Sequence, residues 1–385
     1  MHLRSIYLEN FRSYKKLKIN ITKKNFIILT GKNGTGKTNL FEAISFLSPG
    51  RGFRNSDFLD ILNKNIKSNY WLIQSEIKKN NKSHNVSVEF YTKELNKSNF
   101  NKKVVKIDKK KIKNQSELLN AVSLIWLIPE MDVFFRTTPS MRRKFIDRLI
   151  FNLQPDYLMI VRNYDKNLKE RNKILKDMSK NDYFYEEGKD VEKDLWLKKI
   201  EEKIVSNGIK IYLERLKFIK NFNNIPTHCK NFSKIKLIST GDIEDIIISK
   251  DIDIVKKIYL EKINNSRKID SLKGGISYGP NKSDLNAIFI KKNLTADKCS
   301  TGEQKIILIT IIVQFCKLMY LKEDIMPILL LDEVIAHLDT NIKNSLFEEL
   351  KSLKTQIWMS GSDKMLFKEI IQDSENLEIE DLLKQ

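Results

Sequence analysis

The sequence predicts an α/β nucleotide-binding head, a mixed sheet with flanking helices, interrupted by an inserted, mainly helical short-arm lobe. Three observations carry that prediction. Gly31-Lys32-Asn33-Gly34-Thr35-Gly36-Lys37-Thr38 matches the spacing G-x-x-x-x-G-K-[ST]. Far downstream, the apolar run Pro327-Ile-Leu-Leu-Leu-Asp332-Glu333 ends in two carboxylates. Between them, from about 140 to 270, strand-like runs give way to long charged helical stretches. At 385 residues the chain has room for two domains or one domain with a large insertion. The expected division is 1–130 for the first part of the head, 131–272 for the helical lobe and 273–385 for the second part of the head.

Residues 2–21 read as a β-hairpin: Leu3, Ile6 and Leu8 precede a turn at Asn10–Ser13, and Leu17, Ile19 and Ile21 alternate on the return. Arg12 lies in that turn, close in sequence to the glycine-rich loop. It can touch a phosphate or be an ordinary surface arginine. Asn25–Thr30 reads as a buried strand leading into the loop, and Leu40, Phe41, Ile44 and Leu47 share one helical face after it. That strand–loop–helix context is what phosphate binding needs. Glycines let backbone N–H groups wrap the phosphates, and the helix N-terminus adds positive potential. Lys37 is expected to reach the β- and γ-phosphates and Thr38 to ligate Mg²⁺. The competing reading is a glycine-rich turn before a helix.

Pro49-Gly-Arg51-Gly-Phe-Arg54 sets two arginines around an aromatic. Such a cluster can hold a DNA backbone or stack on a base; it is equally a solvated turn. Runs at Tyr70–Ile77, Val86–Tyr91 and Val104–Ile107, with Lys109–Lys111 as a hairpin tip, suggest antiparallel strands flanking the nucleotide core. Ser123–Ile128 reads as another buried strand. Pro139 opens a helix expected over roughly 140–178, and a second is expected over 190–222, with Val191, Leu195, Leu197, Ile200, Ile204 and Ile211 near its core-facing stripe and a turn at 182–188. Helices of that length reach about 50 Å, a short arm and not a long coiled coil. A strand at 234–238 and a helix at 252–268 follow, then loop chemistry at Gly274–Asp284 and an alternating strand through Leu285, Ala287 and Phe289. An apolar helix is expected through Leu321, and Gln356–Met359 as a last short strand.

Formal charge is +20, from 69 Lys and Arg against 49 Asp and Glu. A polyanionic partner fits that balance, as does a compositional bias toward Lys, Ile and Asn. Cys229, Cys299 and Cys316 form no C-x-x-C pair, so neither a disulfide framework nor a zinc site is read from them. Charge near the N-terminus breaks any signal-peptide core, and the apolar run Ile306–Phe315 is too short to span a bilayer. A soluble, cytoplasmic protein is expected.

Asp332 would hold Mg²⁺, directly or through water, and Glu333 would act as the catalytic base that polarises the attacking water. Alternatively, the pair stabilises a following helix N-terminus. Ser300-Thr301-Gly302-Glu303 is a capping box by spacing, yet its Ser and Gly also make a second phosphate-binding helix start. One chain gains little from two such sites unless the second serves another copy. Asp339 fits the same idea, with ATP held between two chains.

Taken in order, the phosphate loop, Ser300–Lys305, Leu-Leu-Leu-Asp332-Glu333 and Leu338-Asp339 resemble the motif set of an ABC-type P-loop ATPase head. Leu8-Glu-Asn-Phe-Arg-Ser-Tyr14 narrows the resemblance to the chromosome-maintenance and recombination branch. Gly31–Glu42, Arg142-Arg143 with Phe145-Ile146-Asp147, Gly279-Pro280 with Asp284, and the modest arm are together similar to the RecF family. That resemblance implies a weak DNA-dependent ATPase. ATP, bound by residues 31–38 with Mg²⁺, closes a homodimer on duplex DNA near single-stranded gaps, and hydrolysis releases it. It implies RecR, with RecO, as partners, RecA loading downstream, and a part in replication restart and the SOS response. Three departures stand out. Asn281 and Lys282 occupy positions of His and Arg in the family pattern. Ser360-Gly361 stand where transporters carry a switch histidine. Pro129-Glu130 follow the Ser123–Ile128 strand where a glutamine is expected. Slow turnover follows, a switch and not a motor.

Three rivals have distinguishing signs. Asn281-Lys282-Ser283-Asp284 spells the guanine-reading N-K-x-D, without a preceding D-x-x-G loop. A transporter ATPase would leave the insertion and the charge unexplained. A short-armed, nuclease-associated chromosome ATPase would sit beside a nuclease gene.

Overall fold

The computed structural model describes residues 1–80, 82–96, 100–180, 191–226, 234–324, 326–336 and 338–383. They form two compact units. The first takes Met1–Val133 and resumes at Ser300; the second takes Phe134–Pro226 and Lys234–Cys299. In chain order the strands are β1 (His2–Phe11), β2 (Tyr14–Asn20), β3 (Phe26–Thr30), β4 (Tyr70–Lys79), β5 (Lys82–Tyr91), β6 (Lys102–Ile107), β7 (Lys110–Lys111), β8 (Leu124–Leu127), β9 (Ile235–Thr240), β10 (Asp284–Phe289), β11 (Leu294–Thr295), β12 (Ile328–Leu331), β13 (Ile357–Gly361) and β14 (Ser374–Glu378).

The first unit holds two sheets. One is parallel, in the order β14-β3-β13-β12-β8. Strands β3, β8, β12 and β13 are buried along their whole length, as near-continuous runs of Ile, Leu and Trp require when both faces of a parallel sheet are covered. The other sheet is antiparallel, β2-β1-β4-β5-β6-β7, and its strands alternate because only one face meets the core. An aromatic cluster lies beneath it: Trp71 stacks on Phe90 at 5.8 Å and meets Phe11 and Phe46 edge-on. Helix Lys37–Ser45 buries Leu40, Phe41 and Ile44, and Phe41 meets Trp358 of β13 at 6.4 Å. Helix Thr301–Glu323 is long and apolar enough to cross a membrane, longer than the run read from sequence, but 78% of its apolar window is buried in the fold. It is a core helix. Strand β14 was not expected; its Ser374-Glu-Asn-Leu-Glu378 lacks an apolar run and is fixed by pairing with β3.

The second unit is built on helices Pro139–Leu153, Pro155–Lys180, Val191–Asn223, Ile252–Asn265 and Arg267–Lys273, with the antiparallel sheet β9-β10-β11. The expected helix over 140–178 is two helices. Gln154 leaves the helical region, and Pro155 cannot continue the hydrogen-bond ladder. The turn expected at 182–188 and Cys229 lie outside the described residues. Of the stripe expected inward, Leu197, Ile200, Ile204 and Ile211 are buried, whereas Leu195 is 54% exposed. The return to the head expected at 273 does not match the division: β10 pairs along its length with β9, and Arg142 grips Asp284 through both carboxylate oxygens at 2.7 and 2.8 Å.

Candidate nucleotide site

Parallel sheets place ligands at the carboxyl ends of their strands. Here β3 ends at the phosphate loop, β12 at Asp332-Glu333 and β13 at Ser360-Gly361. Since β13 lies between β3 and β12, the three ends are neighbours in the order loop, serine, carboxylates.

The loop is braced by its own chain. Lys37 is buried, and its Nζ donates to the carbonyls of Gly31 at 2.6 Å and Lys32 at 3.0 Å. Gly34 and Gly36 sit at φ of 82° and 115°, which a side chain resists. Tyr14 Oη donates to the Gly36 carbonyl at 2.9 Å, and Glu380 Oε1 accepts the Lys32 N–H at 3.0 Å. Gly36 caps helix Lys37–Ser45 without a side-chain hydrogen bond, so first-turn amides remain for an outside acceptor.

Asp332 is 1% exposed. Its Oδ1 accepts from Ser360 Oγ, while Oδ2 has no hydrogen-bond partner among the described residues. Burial raises its pKa, an effect eased by the hydroxyls of Ser360 and Thr38 and reinforced by Glu333. A buried carboxylate oxygen left open beside a threonine hydroxyl suits a hard divalent cation, which takes few protein ligands besides phosphate and water. The residues therefore fit Mg²⁺. No cluster of three or more His, Cys, Asp or Glu exists among the described residues to offer a second kind of metal site. Glu333 is half-buried at φ 51°, a left-handed conformation that non-glycine residues adopt at a cost.

Arg12 also sits at positive φ, 52°. Its guanidinium donates to Glu42 through Nε and Nη2, each at 2.9 Å, to Ser56 Oγ at 2.7 Å and to the Asp60 carbonyl at 3.0 Å. Glu42, fully buried, also pairs with Arg54 Nη1 at 3.3 Å. Arg54 lies over Phe53 and Arg51 over Phe58. So the structure gives Arg12, Arg51 and Arg54 partners within the fold. Arg12, Ser13, Asn39, Asp60 and Asn65 line a cleft of about 480 Å³ beside the loop. Sequence reasoning missed this cleft and Glu380, and quoted Tyr14 and Glu42 only within motifs, without these roles, because no spacing along the chain links them to the site.

Ser300 caps helix Thr301–Glu323. Its Oγ accepts the Glu303 N–H at 3.3 Å, and Glu303 Oε2 accepts the Ser300 N–H at 3.0 Å. Thr301 is exposed, and nothing among the described residues lies within 4 Å of a Cβ added to Gly302. Lys305 Nζ reaches the Ala336 carbonyl and Asp132, each at 3.2 Å. Asp339 caps the next helix by accepting the Ile342 N–H at 2.9 Å.

Asn281-Lys282-Ser283-Asp284 lies in the second unit and is used there. Tyr164 donates to Asn281 Oδ1 at 3.0 Å, and Arg142 occupies Asp284. That spending of both side chains argues against a guanine reader.

The model of the RecF/RecN/SMC N-terminal domain matches residues 2–374. The curated DNA replication and repair protein RecF of Rickettsia massiliae is 36% identical over 362 residues, covering 94% of both chains. The chain belongs to the RecF family. RecF of Rickettsia felis is likewise 36% identical, over 367 residues, 94% of this chain and 93% of that one. Among solved structures, the recombination mediator protein RecF-ATPrS in the RecFOR pathway has a TM-score of 0.80 at 22% identity, covering 98% of this chain and 95% of that chain. The RecF-ATP structure scores 0.77 at 24% identity, covering 94% and 92%. An SMC head bound to the C-terminal winged-helix domain of ScpA scores 0.51 at 16% identity, covering 96% and 92%. The fold is therefore the ABC/SMC-type head with a helical region.

Proposed function

We propose that this chain is an ATP-dependent DNA-binding protein of recombinational repair, closed on DNA as a dimer by ATP and released by hydrolysis. The observation that carries the ATP reading is the buried, open Oδ2 of Asp332 beside Thr38 at the end of the parallel sheet, next to an uncapped helix start. Residues 31–38 cradle the triphosphate, with Lys37 leaving its two carbonyl partners for phosphate oxygens. Mg²⁺, held by Thr38 and Asp332, would neutralise developing phosphate charge. Glu333 accepts the proton of the attacking water. The cleft walled by Arg12, Ser13 and Asn39 takes the nucleoside, and Arg12 serves it as a wall fixed by Glu42.

A second copy supplies Ser300–Glu303 and Asp339. Gly302 supports this. It costs helix stability at a site where its own chain leaves a side chain ample space, so close approach by another molecule accounts for it. The charge of +20 supports a DNA partner, with Arg51, Arg54 and lysines as contacts. Relatives named for DNA replication and repair and for the RecFOR pathway support a place in recombinational repair. The resemblance of the motif set extends that reading to single-stranded gaps and duplex as targets, RecR with RecO as partners, RecA loading, replication restart and SOS induction, in the cytoplasm.

Sedimentation tests the reading. The chain is expected to dimerise with Mg·ATP and gapped DNA, and Ser300→Arg to bind ATP yet remain monomeric. A wild-type chain that stays monomeric with saturating Mg·ATP and duplex refutes the clamp. Unchanged dimers in Ser300→Arg leave Ser300 as a helix cap alone.

A further inference from the structure

Ser360 joins two groups that the hydrolysis reading treats separately. Its Oγ donates to Asp332 Oδ1 and accepts the Glu333 N–H at 2.9 Å. It is 1% exposed. On β13 it stands opposite Leu29 of β3, one residue before Gly361 faces Thr30. Gly361 fixes that strand end: a Cβ there would come within 2.6 Å of the Phe367 ring. Both hydrogen bonds thus come from a single atom on a rigid strand between the phosphate-loop strand and the carboxylate strand.

We propose that Ser360 is a positioning residue for ATP hydrolysis, one that sets the Asp332 carboxylate and the Glu333 backbone together; this rests on the ATPase reading above. Holding Oδ1 leaves Oδ2 as the open oxygen of Asp332. Holding the Glu333 N–H keeps that residue at φ 51°, a region it would otherwise leave for an extended conformation. A hydroxyl suits the task, since one oxygen donates to the carboxylate and accepts from the amide. Alanine removes both bonds, cysteine weakens both, and threonine retains the oxygen.

The test measures equilibrium binding of a fluorescent ATP analogue with and without Mg²⁺, alongside steady-state turnover. In Ser360→Ala and Ser360→Cys, Mg²⁺-free binding is expected to match wild type. The Mg²⁺ enhancement of affinity and kcat are each expected to fall, by about 10- to 100-fold, as for groups that orient metal ligands. Ser360→Thr is expected to restore both. Wild-type Mg²⁺ enhancement and kcat in Ser360→Ala overturn the proposal. So does loss of Mg²⁺-free binding in both Ser360→Ala and Ser360→Cys, which makes Ser360 a structural residue only. A wild-type chain that binds no nucleotide under either condition overturns the ATPase reading and this proposal with it. Nucleotide binding by wild type with indifferent variants sinks Ser360 alone.

Discussion

Two sets of buried charged groups, one in each unit, are treated in opposite ways. In the Arg171 and Arg215 networks of the second unit they are satisfied. Arg171, fully buried, donates to Glu201 at 2.9 Å, to Asp270 at 2.8 Å and to the Ile263 carbonyl at 3.0 Å. Ser266 and Ser277 complete Asp270, and Arg267 completes Glu201. Arg215 likewise spans Asp147 and the Pro280 carbonyl. In the first unit, at the strand ends, Asp332 keeps an open buried oxygen, Glu333 holds a strained backbone, and the helix after the phosphate loop lacks a side-chain cap. A saturated network repays its desolvation within the chain. An unsaturated one costs stability unless something outside the chain completes it. That contrast separates ion pairs that organise a fold from polar groups kept for a ligand.

Four measurements press on the contrast. The largest expected effect is on chemistry. Glu333→Gln should lower ATP turnover by about 10²–10⁴-fold while nucleotide still binds and ATP-dependent dimers accumulate; wild-type turnover would remove Glu333 from its role. Next, Arg171→Met takes a charged donor from two buried carboxylates, leaving Asp270 without its arginine while Glu201 keeps Arg267, and should cost about 3–5 kcal/mol in denaturant unfolding. A negligible shift would mean that the network contributes little to stability.

A smaller effect of opposite sign is expected at Asp332. Burial raises its pKa above the ordinary 3.8, so the folded state favours the protonated acid. The associated stability is present below that ordinary value and is lost as pH rises through the raised one. Asp332→Asn should therefore gain stability relative to wild type as pH climbs from 4 to 8, by about 1 kcal/mol, while losing Mg²⁺-dependent turnover. A destabilised Asp332→Asn at pH 8 would place this carboxylate with the satisfied groups of the second unit. Smallest is Gly302→Ala, which should raise the thermal stability of the nucleotide-free chain by at most about 1 kcal/mol yet weaken ATP-dependent dimerisation. Loss of stability there would reveal a requirement for glycine inside its own chain.

Legibility followed the range of the interaction. The phosphate loop, the Asp332-Glu333 strand and the Ser300 cap were readable because each is a local pattern: glycines where the backbone turns left-handed, apolar runs where a parallel strand is buried, Ser and Glu three apart where a helix begins. Helix Val191–Asn223 was found within a residue or so of its expected ends. The break at Gln154-Pro155 is signalled by the proline, which cannot continue the hydrogen-bond ladder. Leu195 was misplaced because the stripe on that helix is ragged, with Leu195 and Trp196 outward and Leu197 inward. The boundary near 273 was set by a return to loop chemistry, whereas pairing of β10 with β9 and the Arg142–Asp284 fork decided it.

What the sequence determined alone was the inventory: a phosphate loop, a carboxylate-ended strand, a helix-start motif and a helical insertion, all governed by neighbours a few residues apart. Tertiary structure decided which of those groups are spent and which are open. Arg12 is committed to Glu42 across 30 residues, Asn281 to Tyr164 across 117, and Ser360 to Asp332 across 28, while one oxygen of Asp332 has no hydrogen-bond partner among the described residues. Hydrogen-bond satisfaction depends on which distant atoms share a buried space, and no spacing along the chain encodes that.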